Sequence, residues 1–144
     1  MGPSAACGGD GPGAVDLTVR YMLDSAFVID HLRGLPEAVE RFARLFADGD
    51  EPIVTAVVVC EVATGAPLHP DPDLMAFLEP VELIHPGPET ALLAGAWRAS
   101  ARRRGHHLSL PDSLIAATAS SVDAVVLTRN LRDFALTDVR VEAY

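Results

Sequence analysis

The chain has 144 residues with 20 acidic and 11 basic side chains, every basic one an arginine, and its formal net charge is −9. This acidity argues against non-specific binding to nucleic acid, whose phosphates require positive charge. It is compatible with a nucleic-acid enzyme whose clustered carboxylates are neutralised by divalent cations. The hydrophobic fraction of 49% and the mean hydropathy of +0.24 predict one folded domain. No apolar run reaches the roughly eighteen residues of a membrane span.

The two cysteines lie in different settings. Cys7 is in Gly/Pro-rich sequence, whereas Cys60 is in an apolar run, where we expect a small buried side chain. Their positions give neither a disulfide framework nor the spacing of zinc ligands. A secretion signal consists of a basic segment followed by an apolar block, and we see no such pattern in this sequence. We therefore expect a protein of the reducing cytoplasm that does not enter the membrane.

Residues 1–17 are rich in Gly, Pro and Ala and have no apolar periodicity, so we expect a flexible tail outside the folded domain. Alternating apolar residues predict a strand over residues 18–23, and helical spacing follows over residues 26–34. Asp24 lies between these two elements. It is either an ordinary N-cap or a ligand at the carboxyl end of a strand, where open α/β sheets place their sites.

The pattern over residues 36–47 predicts an amphipathic helix. Its buried face is expected to consist of Val39, Phe42, Ala43 and Phe46. Its solvent face is expected to consist of Glu37, Glu40, Arg41 and Arg44. The Asp- and Gly-containing segment 48–52 ends this helix.

Residues 53–55 predict a short strand, and residues 56–66 are apolar apart from Glu61 and Thr64, a pattern that fits strand or helix. We favour a strand followed by a helix, with Thr55 as the cap. A carboxylate in such a run is costly to bury unless it is paired, protonated or bound to metal. The alternative is a helix with one solvated edge at Glu61.

The middle of the chain is predicted as a connection over residues 69–73, a helical turn over 74–78, a strand over 81–84 and a long helix over 89–104. The buried side of the long helix is expected to carry Leu92, Leu93, Ala96 and Trp97. Arg98 and Arg102–Arg104 lie near its end, where they either complement the helix dipole or contact phosphate. His106 and His107 follow in a loop, and they lack the companion ligands of a zinc site.

Residues 110–119 predict a helix that is apolar almost all round and therefore buried. Pro111 suits its first turn, because the missing N–H has no partner there. Asp112 places a negative charge at the positive end of the helix dipole. The remaining predicted strands cover residues 124–127 and 139–141.

Strands alternate with helices along the chain, which predicts a parallel sheet with helices on both faces. The carboxyl ends of its strands share one edge, so the polar residues that follow them can converge there. The candidates are Asp24, Glu61, Asp112, Asn130 and Asp133. Gathered carboxylates repel one another unless a cation neutralises them, and oxygen ligands favour Mg²⁺ or Mn²⁺. Two such ions about 3.5–4 Å apart can activate water and stabilise the leaving oxygen in phosphodiester cleavage.

Four segments carry these polar residues: Tyr-Met-Leu-Asp-Ser at 21–25, Cys-Glu-Val at 60–62, Leu-Pro-Asp-Ser-Leu-Ile-Ala-Ala-Thr-Ala at 110–119 and Leu-Thr-Arg-Asn-Leu-Arg-Asp-Phe at 127–134. Together they resemble the PIN domain, specifically the VapC-type ribonuclease toxins of bacterial toxin–antitoxin pairs. The resemblance implies a PIN-like three-layer α/β/α domain with a central parallel sheet over residues 18–144. It also implies an Mg²⁺- or Mn²⁺-dependent endoribonuclease, typically a homodimer, that a cognate antitoxin holds inactive.

The acidic positions of this family correspond to Asp24, Glu61, Asp112 and Asp133, which are the expected metal ligands and catalytic residues. Ser25 and Thr128 match its usual hydroxyl positions near the metal. We expect Arg129 or the group Arg102–Arg104 to hold the RNA backbone.

Two features depart from the family. It often has an acid where this chain has Asn130, so the sequence leaves open whether Asn130 or Asp133 faces the metal. The segment 66–80 is short and proline-rich. At this place family members commonly carry longer helices that help to form the dimer and the antitoxin groove.

Other protein classes share parts of this pattern. A phospho-acceptor receiver domain uses a lysine near its phosphate, and this chain contains none. A phosphatase with a nucleophilic aspartate usually has a second Asp two residues later, where this chain has Ala26. The remaining alternative is a catalytically inert PIN-like module that binds RNA or protein, and the full set of acids argues against it.

Overall fold

The computed structural model describes residues 17–144, so the predicted tail lies outside the described residues except for Leu17. The strands of the described range are β1 (Arg20–Leu23), β2 (Glu51–Thr55), β3 (Glu82–Ile84), β4 (Val125–Leu127) and β5 (Val141–Glu142). Its helices are α1 (Ser25–Leu32), α2 (Pro36–Ala47), α3 (Ala56–Thr64), α4 (Pro72–Leu78), α5 (Pro88–Arg103) and α6 (Leu110–Ser121). A short 3₁₀ turn, Leu131–Phe134, lies between β4 and β5.

All pairings in the sheet are parallel, and the strand order is β3-β2-β1-β4-β5. The chain runs outward from β1 through β2 to β3 and then crosses back to β4 on the other side of β1. Right-handed crossovers therefore place α5 and α6 on the face opposite the earlier helices. The reversal makes β1 and β4 a topological switch point, and the crevice outside their carboxyl ends is where such sheets bind ligands.

The central strand is buried on both faces rather than on alternate residues. Met22 and Leu23 have no exposed surface, and Tyr21 is buried beside them. Burial on both sides is characteristic of a parallel sheet covered by two layers of helices. The alternation seen in the sequence of this strand therefore does not mark a solvent face.

Helix α6 is the core helix that the sequence predicts. Ile115, Ala116, Ala117 and Ala119 are fully buried, and α6 contacts α5, α3 and the two central strands. Its buried hydroxyls bond within the helix: Ser113 donates to the carbonyl of Leu110 at 2.7 Å. Ser109 caps the helix by accepting the N–H of Asp112 at 3.1 Å.

The predicted orientation of α2 is wrong. The helix buries Ala38, Arg41 and Leu45, whereas Val39 and Phe46 are substantially exposed. Arg41 can be buried because its guanidinium pairs with Glu142 at 2.8 Å and lies 4.8 Å from the ring centroid of Tyr21. An ion pair and an aromatic face thus replace the water that a charge normally needs.

Two further burial predictions are corrected. On α5 the buried residues are Ala94 and Ala101, and Leu92 is 73% exposed, because the helix packs against α6 through small side chains. Cys60 is exposed rather than buried. Helix α3 turns only the face that contains Val58 and Val62 into the core.

Thr55 occupies the N-cap position of α3, as predicted, although its side chain makes no capping hydrogen bond. Residues 66–80 contain α4, a helix of 7 residues. None of the helices within residues 17–144 is long and apolar enough to cross a membrane.

Candidate active site

Asp24 lies at the centre of the crevice, directly after β1, and is 5% exposed. It is both the N-cap of α1 and a carboxylate at the carboxyl end of a strand, so the two interpretations left open by the sequence describe one residue. Its Oδ1 accepts the N–H of Ser25 at 2.8 Å, and its Oδ2 accepts the hydroxyl of Thr128 at 2.7 Å. These bonds fix the carboxylate while each oxygen keeps a further acceptor position.

Thr128 connects the ends of the two central strands. It follows β4 and is fully buried, and its Oγ1 also accepts the N–H of Asn130 at 2.9 Å. The backbone N–H of Asp24 donates to the carbonyl of Leu127 at 3.2 Å. The polar segment after β4 is therefore held against Asp24 by side-chain and main-chain bonds together.

Glu61 lies on an exposed edge of α3. Its Oε1 accepts the hydroxyl of Ser25 at 2.5 Å. Glu61 is therefore exposed, as the alternative of a helix with one solvated edge predicted. Its hydrogen bond brings the carboxylate next to Ser25, the residue that follows Asp24.

Asp112 is in the first turn of α6 and is partly buried. Its pKa is raised from 3.8 to about 6, first by burial and then by repulsion from Asp24, Asp133 and Glu61. The pKa of Asp24 is also raised, again mainly by burial, with contributions from Glu61 and Asp133. Four acids from four separate segments therefore act on one another electrostatically at this edge of the sheet.

The sequence and the fold of this chain have counterparts among known proteins. The family model of the PIN domain matches residues 21–139. The chain belongs to the PIN-domain family. It is 35% identical over 115 residues to Ribonuclease VapC19 of Mycobacterium tuberculosis, an alignment that covers 78% of this chain and 90% of that protein. The resemblance inferred from the four sequence segments is confirmed.

Solved structures share the fold of this PIN domain. VapBC2 from Rickettsia felis, in a crystal structure with a DNA fragment from its promoter, superimposes with a TM-score of 0.76 at 20% identity, covering 87% of this chain and 98% of that one. A toxin–antitoxin complex from Klebsiella pneumoniae gives a TM-score of 0.66 at 28% identity, covering 80% of this chain and 90% of that one. The predicted α/β/α architecture is confirmed.

The acids of this PIN domain suit a hard divalent cation by their chemistry. Every donor among them is a carboxylate oxygen, and a bound cation would offset both the burial and the repulsion that raise the pKa of Asp112. Within residues 17–144 no three His, Cys, Asp or Glu side chains are gathered closely enough to hold an ion. To surround an ion, the acids would have to rotate their side chains, and Glu61 and Asp133 are exposed and therefore have room to do so.

The structure distinguishes the two polar residues of the turn after β4. Asp133 is the one whose charge acts on Asp24 and Asp112. Asn130 is exposed, and its main-chain N–H is the group bonded to Thr128. Asp133 lines the same cleft as Asp112, whereas Asn130 does not line that cleft.

Sequence reasoning missed a buried polar cluster beside the site. Asp30 is 4% exposed and accepts hydrogen bonds from the guanidinium of Arg129 and from the hydroxyl of Tyr144, the latter at 2.6 Å. Burial raises the pKa of Asp30, but these two bonds outweigh it and leave the pKa below its ordinary value. Asp30 and Tyr144 are separated by 114 residues, so no local pattern links them.

Proposed function

We propose that this PIN domain is a metal-dependent endoribonuclease that hydrolyses phosphodiester bonds in RNA and is the toxin of a toxin–antitoxin pair. The observation that carries the proposal is the placement of four carboxylates at the switch point of the sheet: Asp24 bonds to Thr128, Glu61 bonds to Ser25, and Asp112 and Asp133 line one cleft. The relative named as a ribonuclease and the neighbour described as a toxin–antitoxin complex support the same activity and the same kind of partner.

In this proposal Asp24, Glu61, Asp112 and Asp133 hold Mg²⁺ or Mn²⁺. When bound, the cation supplies positive charge for the phosphate and lowers the pKa of water for attack. Thr128 keeps Asp24 in one orientation, because its hydroxyl bonds to one carboxylate oxygen. Ser25 donates a hydrogen bond of 2.5 Å to Glu61, which places this exposed carboxylate next to the residue that follows Asp24. Asp24 is therefore the proposed ligand whose orientation is fixed before substrate arrives.

We also propose that the protein works in the cytoplasm as a homodimer bound by its antitoxin. Large apolar side chains on the surface are consistent with assembly, since Leu92 is 73% exposed and Leu110 is 54% exposed. The neighbouring structure described as a toxin–antitoxin complex supports an antitoxin as the partner.

The test is cleavage of a labelled RNA pool by purified protein, with Mg²⁺ or Mn²⁺ and with EDTA. We expect metal-dependent cleavage that Asp24→Asn reduces to background, because this change removes the charge of the most buried of the four proposed ligands. Asp123→Asn is the matched control, since Asp123 precedes β4 at the opposite end of the sheet and its side chain is 96% exposed.

Retained cleavage by Asp24→Asn contradicts the proposed site. If the wild type neither cuts RNA nor gains thermal stability from Mn²⁺, the protein is instead an inert binding module.

A further inference from the structure

Two clefts open on either side of the 3₁₀ turn Leu131–Phe134. The first has a volume of about 520 Å³ and runs along residues 129–133. The second has a volume of about 510 Å³, and its lining includes Asp112, His106 and His107. Arg132 and Asp133 line both clefts and so form the wall between them. Two of the four acids therefore face the second cleft.

The arginines of this turn differ in whether their charge is available. Arg129 is paired with the buried Asp30, so its positive charge is already offset by a carboxylate. Arg132 is exposed, and within residues 17–144 its side chain has no hydrogen bond or ion pair. The guanidinium is a planar group with five N–H donors, which suits bidentate binding of phosphate oxygens.

The second cleft adds further hydrogen-bond donors to this arginine. His106 and His107 are both exposed, and an imidazole N–H can bond to a phosphate oxygen. Arg102–Arg104 precede them in the chain but line neither cleft. Because the whole chain carries −9, a polyanion approaching Asp112 and Asp133 needs local donors of this kind.

We propose that Arg132, together with His106 and His107, forms a phosphate-binding track that carries the backbone of single-stranded RNA past Asp112 and Asp133. The proposal rests on the ribonuclease function proposed above, and it assigns the backbone contact to Arg132 rather than to Arg129. Contacts of this kind position the RNA and do not read its sequence.

The test compares Arg132→Gln with Arg140→Gln in steady-state cleavage of a fluorescein-labelled single-stranded oligoribonucleotide. Arg140 is a matched control, because it is also an exposed arginine but pairs with Asp123 at the amino ends of β4 and β5. We expect Arg132→Gln to raise KM about tenfold with kcat within twofold of the wild type. The slope of log(kcat/KM) against log salt should become shallower by about 1, which a structural defect does not produce.

Two further variants sharpen the result. Arg132→Lys keeps the charge and should restore the salt slope while recovering only part of KM. His106→Ala combined with His107→Ala should also raise KM in the same assay, because it removes two donors that line the second cleft.

The outcomes separate this proposal from the function on which it rests. If the wild type cuts RNA and Arg132→Gln matches Arg140→Gln in KM and salt slope, the track is wrong and the ribonuclease stands. If the wild type neither binds nor cuts RNA, the ribonuclease assignment fails and the track fails with it.

Discussion

Replacement of Asp112 by Asn should abolish cleavage and yet make the protein more stable. Asn has nearly the same shape and can still bond to Ser109, but it carries no charge. The pKa of Asp112 is raised from 3.8 to about 6 by burial and by the neighbouring acids, so the folded state holds the proton more tightly than the unfolded chain. Stability from this group is therefore complete below pH 4 and is lost as the pH rises towards 6.

The magnitude follows from this rise in pKa. A change from 3.8 to about 6 corresponds to about 3 kcal/mol of destabilisation at pH 7.5. Asp112 is only partly buried, so screening by solvent reduces this to about 1.5 kcal/mol. The charge also stabilises the N-terminus of α6 by about 0.5 kcal/mol, which the variant loses. We expect a net gain of about 1 kcal/mol, or a rise in Tm of about 4 °C.

The assay is urea denaturation in EDTA at pH 7.5 and at pH 5.0, with Asp123→Asn as the control for removal of an exposed charge. The gain of Asp112→Asn should shrink by about half at pH 5.0, where the folded wild type is largely protonated at this residue. A variant less stable than the wild type at pH 7.5, or a gain independent of pH, refutes the electrostatic account of the site.

Two other predictions concern the hydrogen bonds around the site. Thr128→Val removes the donor to the buried Asp24 and should lower the free energy of unfolding by about 1–3 kcal/mol. Thr128→Ser keeps the hydroxyl and should lose less stability. Equal losses of the two variants in urea denaturation would show that the hydroxyl is unimportant. Tyr144→Phe keeps the edge contact with Phe27 but removes the hydrogen bond to Asp30. It should lower the free energy of unfolding by about 1 kcal/mol in the same assay. An unchanged urea midpoint would contradict this prediction.

The order of elements was predictable because it depends on local periodicity. The apolar pattern of residues 110–119 already specified a buried helix, and the residues after successive strands specified where acids converge. The orientation of α2 was not predictable, because Arg41 is buried against Glu142, a residue 101 positions away. Periodicity assigns a charge to the solvent face, and only tertiary structure shows that a distant partner has replaced the solvent.

The candidate site shows the same division. Asp24 and Asp112 were identified from their places at the ends of elements. The sequence left Asn130 and Asp133 as alternatives, since both follow the same strand. Asp30 looked like an ordinary helical residue, because its partners come from the far end of the described chain.

The parallel sheet also governs when the site can form during folding. Tyr21 in the central strand pairs with Pro52 on one side and with Val125 on the other, and both pairings are parallel. The strands within residues 17–144 are therefore not joined as hairpins. The bond between Asp24 and Thr128 joins residues 104 positions apart. Closing so long a loop is entropically costly and slow compared with helix formation. A nascent or partly folded chain therefore holds its acids apart, and a competent crevice exists only after the last strands have docked.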